Sequence, residues 1–180
     1  MRFRAPDPAR PVAAAESGDA IMQDRDVKLV TLEPMDLLAV GHIGPYMKIG
    51  DAFYTLAQWL SERNVRTAGA KMVGIYYDDP NTVEASKLRS KAALHLGEET
   101  DVEVISPVEQ VQLRGGAHAL VLHKGPYQGL QEAWMWFYNE GLQKLGRQPD
   151  FSAPSFEVYL NTPDEAAPED LKTELYIPLA

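Results

Sequence analysis

The sequence has no cysteine, no long apolar run and no cluster of basic residues. Without cysteine, disulfides, zinc–thiolate sites, iron–sulfur clusters and thiol nucleophiles are excluded, which fits a reducing compartment. No stretch approaches the roughly 18–20 continuous apolar residues that cross a bilayer, and the first residues lack the apolar core of a signal peptide. These absences predict a cytoplasmic protein with no membrane partner.

The charge balance is acidic, with 26 Asp and Glu against 17 Lys and Arg and a formal net charge of −9. Such a chain repels a phosphate backbone unless its basic residues cluster, so direct nucleic-acid binding is not expected. The sequence also lacks a Gly-x-Ser-x-Gly elbow and any Glu, Asp or His cluster with metal-ligand spacing. We therefore expect no metal and no cofactor.

The length and composition predict one compact domain, because 180 residues with 45% hydrophobic content are enough to bury a sizeable core. Residues 1–25 contain three prolines, a glycine and a run of alanines with scattered charges. We predict a flexible N-terminal arm over 1–25 and a folded domain over 26–180.

An internal repeat is the most informative feature of the chain. The tripeptide Gly-Pro-Tyr at residues 44–46 recurs at 125–127, which is 81 residues later. A spacing of 83 then relates residues 75–76 to 158–159 and residues 88–90 to 171–173. The 81-residue spacing also pairs His42 with His123, Asp51 with Glu132, Ala52 with Ala133, and Phe53 with Trp134. We predict two equivalent halves, 26–100 and 101–180.

Each half has the pattern of a strand, the Gly-Pro-Tyr turn, a helix and two further strands, preceded by an opening strand. The predicted strands are 27–32, 37–43, 72–77, 92–96, 102–113, 120–123, 156–160 and 175–179. This order predicts an α+β fold of duplicated strand-helix-strand-strand modules with pseudo-two-fold symmetry. We expect an antiparallel sheet with both helices on one face and a ligand cleft at the seam.

Glu174 is the first candidate site residue. It lies two residues before Tyr176 on the last predicted strand, so the two side chains share a face. Its equivalent in the first half is Lys91, so the duplication has not kept the charge. If Glu174 faces the cleft, its burial requires a cationic ligand or loss of its charge. Spacing alone leaves open the alternative of an exposed glutamate at a sheet edge.

Aromatic residues crowd the second predicted helix. Trp134 and Phe137 are three residues apart and face the sheet together with Leu130. Core packing and pocket lining both remain open for Trp134. The turn tyrosines Tyr46 and Tyr127 lie at helix starts, where a hydroxyl can reach a cleft while the ring packs beneath it, and a purely structural role is equally open.

These motifs together resemble the GyrI-like family, which includes DNA gyrase inhibitor proteins and the effector-binding domains of multidrug-responsive and AraC-type transcription activators. The resemblance covers about residues 26–179. It is carried by residues 44–46, 75–80, 87–89, 115–116, 156–161 and 173–176.

The resemblance implies tandem modules around a cleft that binds apolar or cationic small molecules. Family members place a glutamate of the last strand in that cleft, and the matching position is Glu174. Trp134 matches a helix tryptophan of the gyrase inhibitor proteins. The remaining neighbours expected near the ligand are Tyr46, Tyr127, Phe137, Tyr159 and Tyr176.

The resemblance also implies partners and an alternative. DNA gyrase or a transcription regulator is a possible protein partner, and we expect a monomer or weak homodimer. Residues 1–25 are too short and proline-rich for a helix-turn-helix domain, so we expect a stand-alone module. Some stand-alone members resemble hydrolases that open the cyclopropane ring of DNA-alkylating natural products. In that alternative, Glu174 is a general base and Tyr127 or Tyr159 polarises a ligand carbonyl.

Overall fold

The computed structural model describes residues 26–97 and 102–180. The predicted arm over 1–25 and the predicted boundary between the halves at 100 and 101 lie outside these residues. None of the helices in the described part is long and apolar enough to cross a membrane.

Eight strands form one antiparallel sheet. They are β1 (Val27–Leu32), β2 (Met35–Ile43), β3 (Lys71–Tyr76), β4 (Arg89–His95), β5 (Val108–Leu113), β6 (Gly116–Lys124), β7 (Ser155–Tyr159) and β8 (Lys172–Pro178). The predicted α+β class is confirmed. The strand predicted over 102–113 is too long, because Pro107 has no N–H to give to a ladder and β5 begins after it.

Two helices follow the equivalent Gly-Pro-Tyr turns. The first is α1 (Gly50–Glu62), and the second consists of α2 (Leu130–Trp136), a π-helical segment (Phe137–Gly141) and α3 (Leu142–Leu145). Gly44 and Gly125 begin the two turns with φ values of +134° and +132°, which only glycine adopts readily. The backbone N–H groups of these glycines donate to Leu88 and Leu171, which are themselves equivalent.

The strand order is β1-β6-β8-β7-β3-β4-β2-β5. The halves meet at the pairing of β3 with β7, and the order is symmetric about that seam. Each half nevertheless sends its opening strand to the other: β1 pairs with β6, and β5 pairs with β2. The repeats are thus exchanged in space, although they are contiguous in sequence.

The sheet curls strongly, and short connections require it to. β1 and β2 are six positions apart in the sheet, which is about 29 Å if the sheet is flat. Their connection, Glu33 and Pro34, reaches at most about 11 Å. The connection from β5 to β6 imposes the same limit at the other edge. The two edges therefore approach each other at one end of the sheet.

Three apolar clusters result from this geometry. α1 packs on the outer face of the first half through residues at helical spacing, among them Phe53, Leu56 and Trp59. The second helix packs equivalently on Val121, Leu175 and neighbours. The third cluster fills the inside of the curl and joins residues from opposite edges of the sheet, including Leu32, Met35, Leu113, Phe156 and Tyr176. Both helices thus lie on the outer face, as predicted.

Candidate functional site

The centre of the site is the seam between β3 and β7 on the face that carries the helices. Gly74 lies directly opposite Glu157 in the strand register, and these two residues are also equivalent in the repeat. Tyr76 and Tyr159 form the next equivalent pair, one on each strand. Because side chains alternate along a strand, all four positions share the outer face.

The Glu157 carboxylate is buried, at 2% relative exposure, and accepts three hydrogen bonds from neutral donors. The hydroxyls of Tyr76 and Tyr159 donate to Oε2 at 2.8 and 2.6 Å, and the Trp134 indole N–H donates to Oε1 at 2.6 Å. No Lys or Arg in the described ranges forms an ion pair with it. Among the described residues, the carboxylate at the centre of the site thus has no positively charged partner.

Burial raises the pKa of Glu157, because the charged form loses its hydration in the apolar surroundings. The hydrogen bonds from Tyr159, Trp134 and Tyr76 act in the opposite direction and do not fully compensate. Burial and the nearby charge of Glu157 also raise the pKa of Tyr76 and Tyr159 well above the usual tyrosine value. Both phenols therefore remain donors at neutral pH.

Gly74 allows this convergence. A Cβ atom at position 74 would lie 2.8 Å from the Tyr76 hydroxyl and 3.0 Å from the Tyr159 hydroxyl. The two hydroxyls, 3.2 Å apart, thus occupy the space that a side chain at 74 would take. At these equivalent positions, β7 carries the Glu157 carboxylate, and β3 carries Gly74, which leaves room for the two hydroxyls that donate to it.

Trp134 packs against two aromatic rings of its own helix. It stacks on Phe137 at 6.0 Å and on Tyr138 at 5.9 Å between ring centroids. The Tyr138 hydroxyl forms a hydrogen bond with the Ser155 hydroxyl at 2.5 Å, which ties the Tyr138 ring to the start of β7. Side chains three and four residues apart on a helix lie next to each other, which is why Phe137 and Tyr138 both contact Trp134. These contacts hold the indole with its N–H directed at Glu157.

The equivalent aromatic residues of the two halves surround the tyrosine pair. Tyr46 meets Tyr76 edge to face at 4.8 Å, and Tyr127 meets Tyr159 in the same way at 5.5 Å. Phe53, the equivalent of Trp134, meets Tyr159 at 5.8 Å. The result is an aromatic enclosure around one carboxylate, the arrangement that favours apolar and cationic molecules.

The structure brings together four of the residues proposed from the sequence. Tyr46, Tyr127, Trp134 and Tyr159 all lie on the outer face around Glu157. Phe137 is adjacent but fully buried beneath Trp134, so it supports the site without lining it.

Glu174 and Tyr176 lie on the inner face of the sheet and do not join this group. Tyr176 is buried in the curl, stacked on Phe156 at 4.7 Å, and its hydroxyl donates to Glu174 at 2.7 Å. Glu174 is only partly buried. A ligand contact at Glu174 or Tyr176 stays a prediction, and the buried glutamate of the seam is Glu157. The physical reason is the pleat: Glu174 pairs with Val158, whose side chain points away from the face of Glu157 and Tyr159.

Sequence reasoning missed Glu157, Tyr76 and Gly74. A usable signal was present, because Glu157 interrupts an apolar strand and alternates with Tyr159. The repeat also matches Glu157 to Gly74 and Tyr159 to Tyr76. Within the residues that the structure describes, no group of three or more His, Asp or Glu side chains is placed to hold a metal ion.

Comparison with known proteins gives a consistent assignment. A family model for the GyrI-like small molecule binding domain matches residues 25–180. The DNA gyrase inhibitor of Citrobacter koseri is 26% identical over 156 residues, which is 86% of this chain and 97% of that protein. The DNA gyrase inhibitor of Escherichia coli K12 is 28% identical over 137 residues, 75% of this chain and 84% of the relative.

Solved structures share the fold at low sequence identity. The C-terminal domain of EcmrR has a TM-score of 0.68 at 13% identity, covering 87% of this chain and 98% of that one. A hydrolase from Listeria innocua gives 0.58 at 17% identity, with 87% and 92% covered. The protein SAV2435, bound to tetraphenylphosphonium, gives 0.57 at 14% identity, with 86% and 94% covered.

Proposed function

Because the chain belongs to the family of GyrI-like small molecule binding domains, we propose that it binds an apolar or cationic small molecule in the aromatic enclosure at the seam. Glu157 supplies the negative charge of the site. Tyr46, Tyr127, Trp134 and Tyr159 supply the aromatic surface.

The observation that carries this proposal is a buried carboxylate whose partners are all neutral. An ionised group in an apolar environment is costly unless a positive charge compensates it. The hydrogen bonds from Tyr76, Tyr159 and Trp134 keep Glu157 in place but bring no positive charge. A bound cation compensates the charge, so binding recovers free energy that the ligand-free protein lacks.

The surrounding rings support the same ligand class. A cation gains energy over the face of a tryptophan or tyrosine, most strongly where water is excluded. An apolar body gains energy by covering ring surface. One structural neighbour carries tetraphenylphosphonium, a bulky apolar cation, and its likeness to this chain concerns the fold alone.

The test is a titration of the purified protein with tetraphenylphosphonium, followed by isothermal calorimetry and by quenching of tryptophan fluorescence. We expect saturable binding that Glu157→Gln weakens by about 1–3 kcal/mol, because the variant keeps the size of the side chain and removes its charge. Binding should also weaken as the pH falls, because protonation of Glu157 removes the same charge.

Glu174→Gln is the matched control, since Glu174 is a second strand glutamate that also accepts a tyrosine hydrogen bond. We expect this variant to bind like the unmodified protein. The reverse pattern, with affinity lost only in Glu174→Gln, restores the site predicted from the sequence and rejects the seam.

A hydrolase is the second candidate. Burial raises the pKa of Glu157 toward the range of a general acid or base, and two phenols lie within hydrogen-bond distance of it. A structural neighbour is described as a hydrolase, a likeness of fold only. Incubation with a cyclopropane-bearing alkylator, followed by mass spectrometry, distinguishes the candidates: product formed in many turnovers and lost in Glu157→Gln identifies an enzyme.

A protein partner belongs to the proposal as well. The curated relatives are DNA gyrase inhibitors, and a net charge of −9 suits association with a basic surface of a DNA-binding enzyme. A cytoplasmic location is part of the same proposal. Inhibition of DNA supercoiling by purified gyrase, with and without tetraphenylphosphonium, tests this partner. Unchanged supercoiling at saturating protein rejects it.

A further inference from the structure

The two turn tyrosines occupy equivalent positions but use their hydroxyls differently. The Tyr46 hydroxyl donates to the backbone carbonyl of Asp78 at 2.7 Å and accepts from the Asp78 backbone N–H at 3.0 Å. Both capacities of this hydroxyl are therefore taken by the turn after β3. Tyr46 holds that turn in place.

Within the described ranges, the Tyr127 hydroxyl has no such anchor and makes no hydrogen bond to another residue. Its ring packs edge to face on Tyr159. Asn161, the equivalent of Asp78, accepts from the Lys172 backbone N–H at 2.8 Å, as Asp78 accepts from the Arg89 backbone N–H at 2.7 Å. The difference between the halves is that, among the described residues, the Asn161 backbone makes no bond to Tyr127, whereas the Asp78 backbone makes two to Tyr46. Both halves thus keep the turn tyrosine, but among the described residues only the Tyr46 hydroxyl is hydrogen-bonded.

The surroundings keep this hydroxyl a donor. Burial raises the pKa of Tyr127 to about 12, with smaller contributions from the charges of Glu157 and Glu165. The phenol is therefore protonated across the physiological range. Its ring adjoins the Tyr159 ring, whose hydroxyl contacts Glu157, so Tyr127 lies beside the proposed ligand.

Glu157, in contrast, accepts hydrogen bonds, and most of its acceptor positions are already occupied. A carboxylate has about four lone-pair positions, and three are occupied by Tyr76, Tyr159 and Trp134. One acceptor position, on Oε1, is therefore left for an N–H or O–H donor of a ligand. A ligand that brings an acceptor oxygen meets the unoccupied donor of Tyr127.

We propose that Tyr127 is a specificity-determining residue that donates a hydrogen bond to a carbonyl or ether oxygen of the ligand. The ligand class is then an apolar cation that carries such an acceptor. This inference rests on the proposed function and deepens it. Tyr46 does not act in this way, since its hydroxyl is committed to Asp78.

The test compares two phosphonium cations of similar size that differ in one oxygen. (3-Phenoxypropyl)triphenylphosphonium carries an ether oxygen, and (4-phenylbutyl)triphenylphosphonium has a methylene group in its place. We expect Tyr127→Phe to weaken binding of the ether by about 3- to 10-fold, the effect of one neutral hydrogen bond, and to leave binding of the oxygen-free cation unchanged. Tyr46→Phe is the matched control and should change both affinities by the same factor.

A second readout separates the roles of the two tyrosines. Tyr46→Phe should lower the thermal unfolding midpoint, because the backbone groups of Asp78 lose their partner. Tyr127→Phe should not lower it. Equal effects of Tyr127→Phe on both cations, or no effect on either, overturn the specificity role while the proposed function stands. Failure of the unmodified protein to bind either cation overturns both.

Discussion

Gly74 and Glu157 are equivalent in the repeat, yet Gly74 has no side chain, and Glu157 carries the only charge that the described residues place at the centre of the site. This difference is what fits two tyrosine hydroxyls and a carboxylate into one place. In a symmetric pair of glutamates, the second carboxylate would occupy the position of the hydroxyls and would repel the first. At the scale of single residues, the site is thus made by a departure from the symmetry.

Gly74→Ala tests this arrangement directly. The added Cβ meets the Tyr76 hydroxyl at 2.8 Å, so we expect a loss of about 1–3 kcal/mol of stability, typical of overpacking. The hydroxyls should also shift away from Glu157, with weaker tetraphenylphosphonium binding. Urea denaturation and calorimetry measure the two effects.

The compensating variant is Gly74→Ala combined with Tyr76→Phe, which removes the nearest atom. Since the two positions are in contact, we expect the double variant to be more stable than the sum of the single changes predicts. Strict additivity of the two free-energy changes contradicts the steric explanation.

At the scale of elements, short connections determine the curvature of the sheet. The two-residue connections after β1 and β5 hold together strands that are six positions apart in the sheet. Gly115 lies where these connections approach each other, and a Cβ atom there would be 2.7 Å from the Leu32 carbonyl oxygen and 2.9 Å from Pro34. The Leu32 carbonyl oxygen belongs to the backbone, which has little freedom to move away from an added Cβ atom.

Gly115→Ala should therefore destabilise the fold by about 1–3 kcal/mol in urea denaturation. Gly41→Ala is the control, because a Cβ atom at this strand position meets no heavy atom of the described residues within 4 Å. We expect Gly41→Ala to be neutral or slightly stabilising, as alanine loses less backbone entropy than glycine. Equal losses in the two variants contradict the proposed crowding at the connections.

At the scale of the whole molecule, the binding site and the stability of the fold depend on the same ionisation. Burial raises the pKa of Glu157 above the value of 4.5 expected for an unfolded glutamate. The folded state then holds its proton more tightly than the unfolded state. The stabilising contribution of this proton is complete below pH 4.5 and is lost as the pH rises through the folded pKa.

The difference in unfolding free energy between the unmodified protein and Glu157→Gln isolates this effect from other carboxylates. We expect the unmodified protein to lose stability relative to the variant by up to about 1.4 kcal/mol for each pH unit in that interval. Asp78 and Asp150, whose pKa values are lowered mainly by hydrogen bonds from Arg89 and Ser152, act in the opposite direction and cancel in the comparison.

Saturating tetraphenylphosphonium should reduce this loss, because the bound cation stabilises the ionised carboxylate. Urea denaturation over a series of pH values, with and without the cation, measures both effects. A pH-independent difference between the two proteins shows that Glu157 does not titrate with a raised pKa.

Much of this protein was predictable from the sequence, because a duplication records the architecture in the spacing of residues. The Gly-Pro-Tyr turns, the helical spacing of Phe53 and Leu56 and the strand patterns predicted the α+β class and the helices on one face. The turns and the aromatic helix indicated Tyr46, Tyr127 and Trp134 as candidates, and the resemblance to the GyrI-like family added Tyr159. The turn, helix and strand patterns are local or periodic signals, which do not depend on strand order.

The tertiary structure alone decided which glutamate is buried at the seam. Glu157 and Glu174 both lie on apolar strands beside tyrosines, and alternation only shows that each shares a face with its own tyrosine. Which face is outer follows from the pairing of β7 with β3 and β8, and from the curl that turns Tyr176 inward. The exchange of β1 and β5 between the halves was equally hidden, because strand pairing is a long-range contact and leaves no period in the sequence.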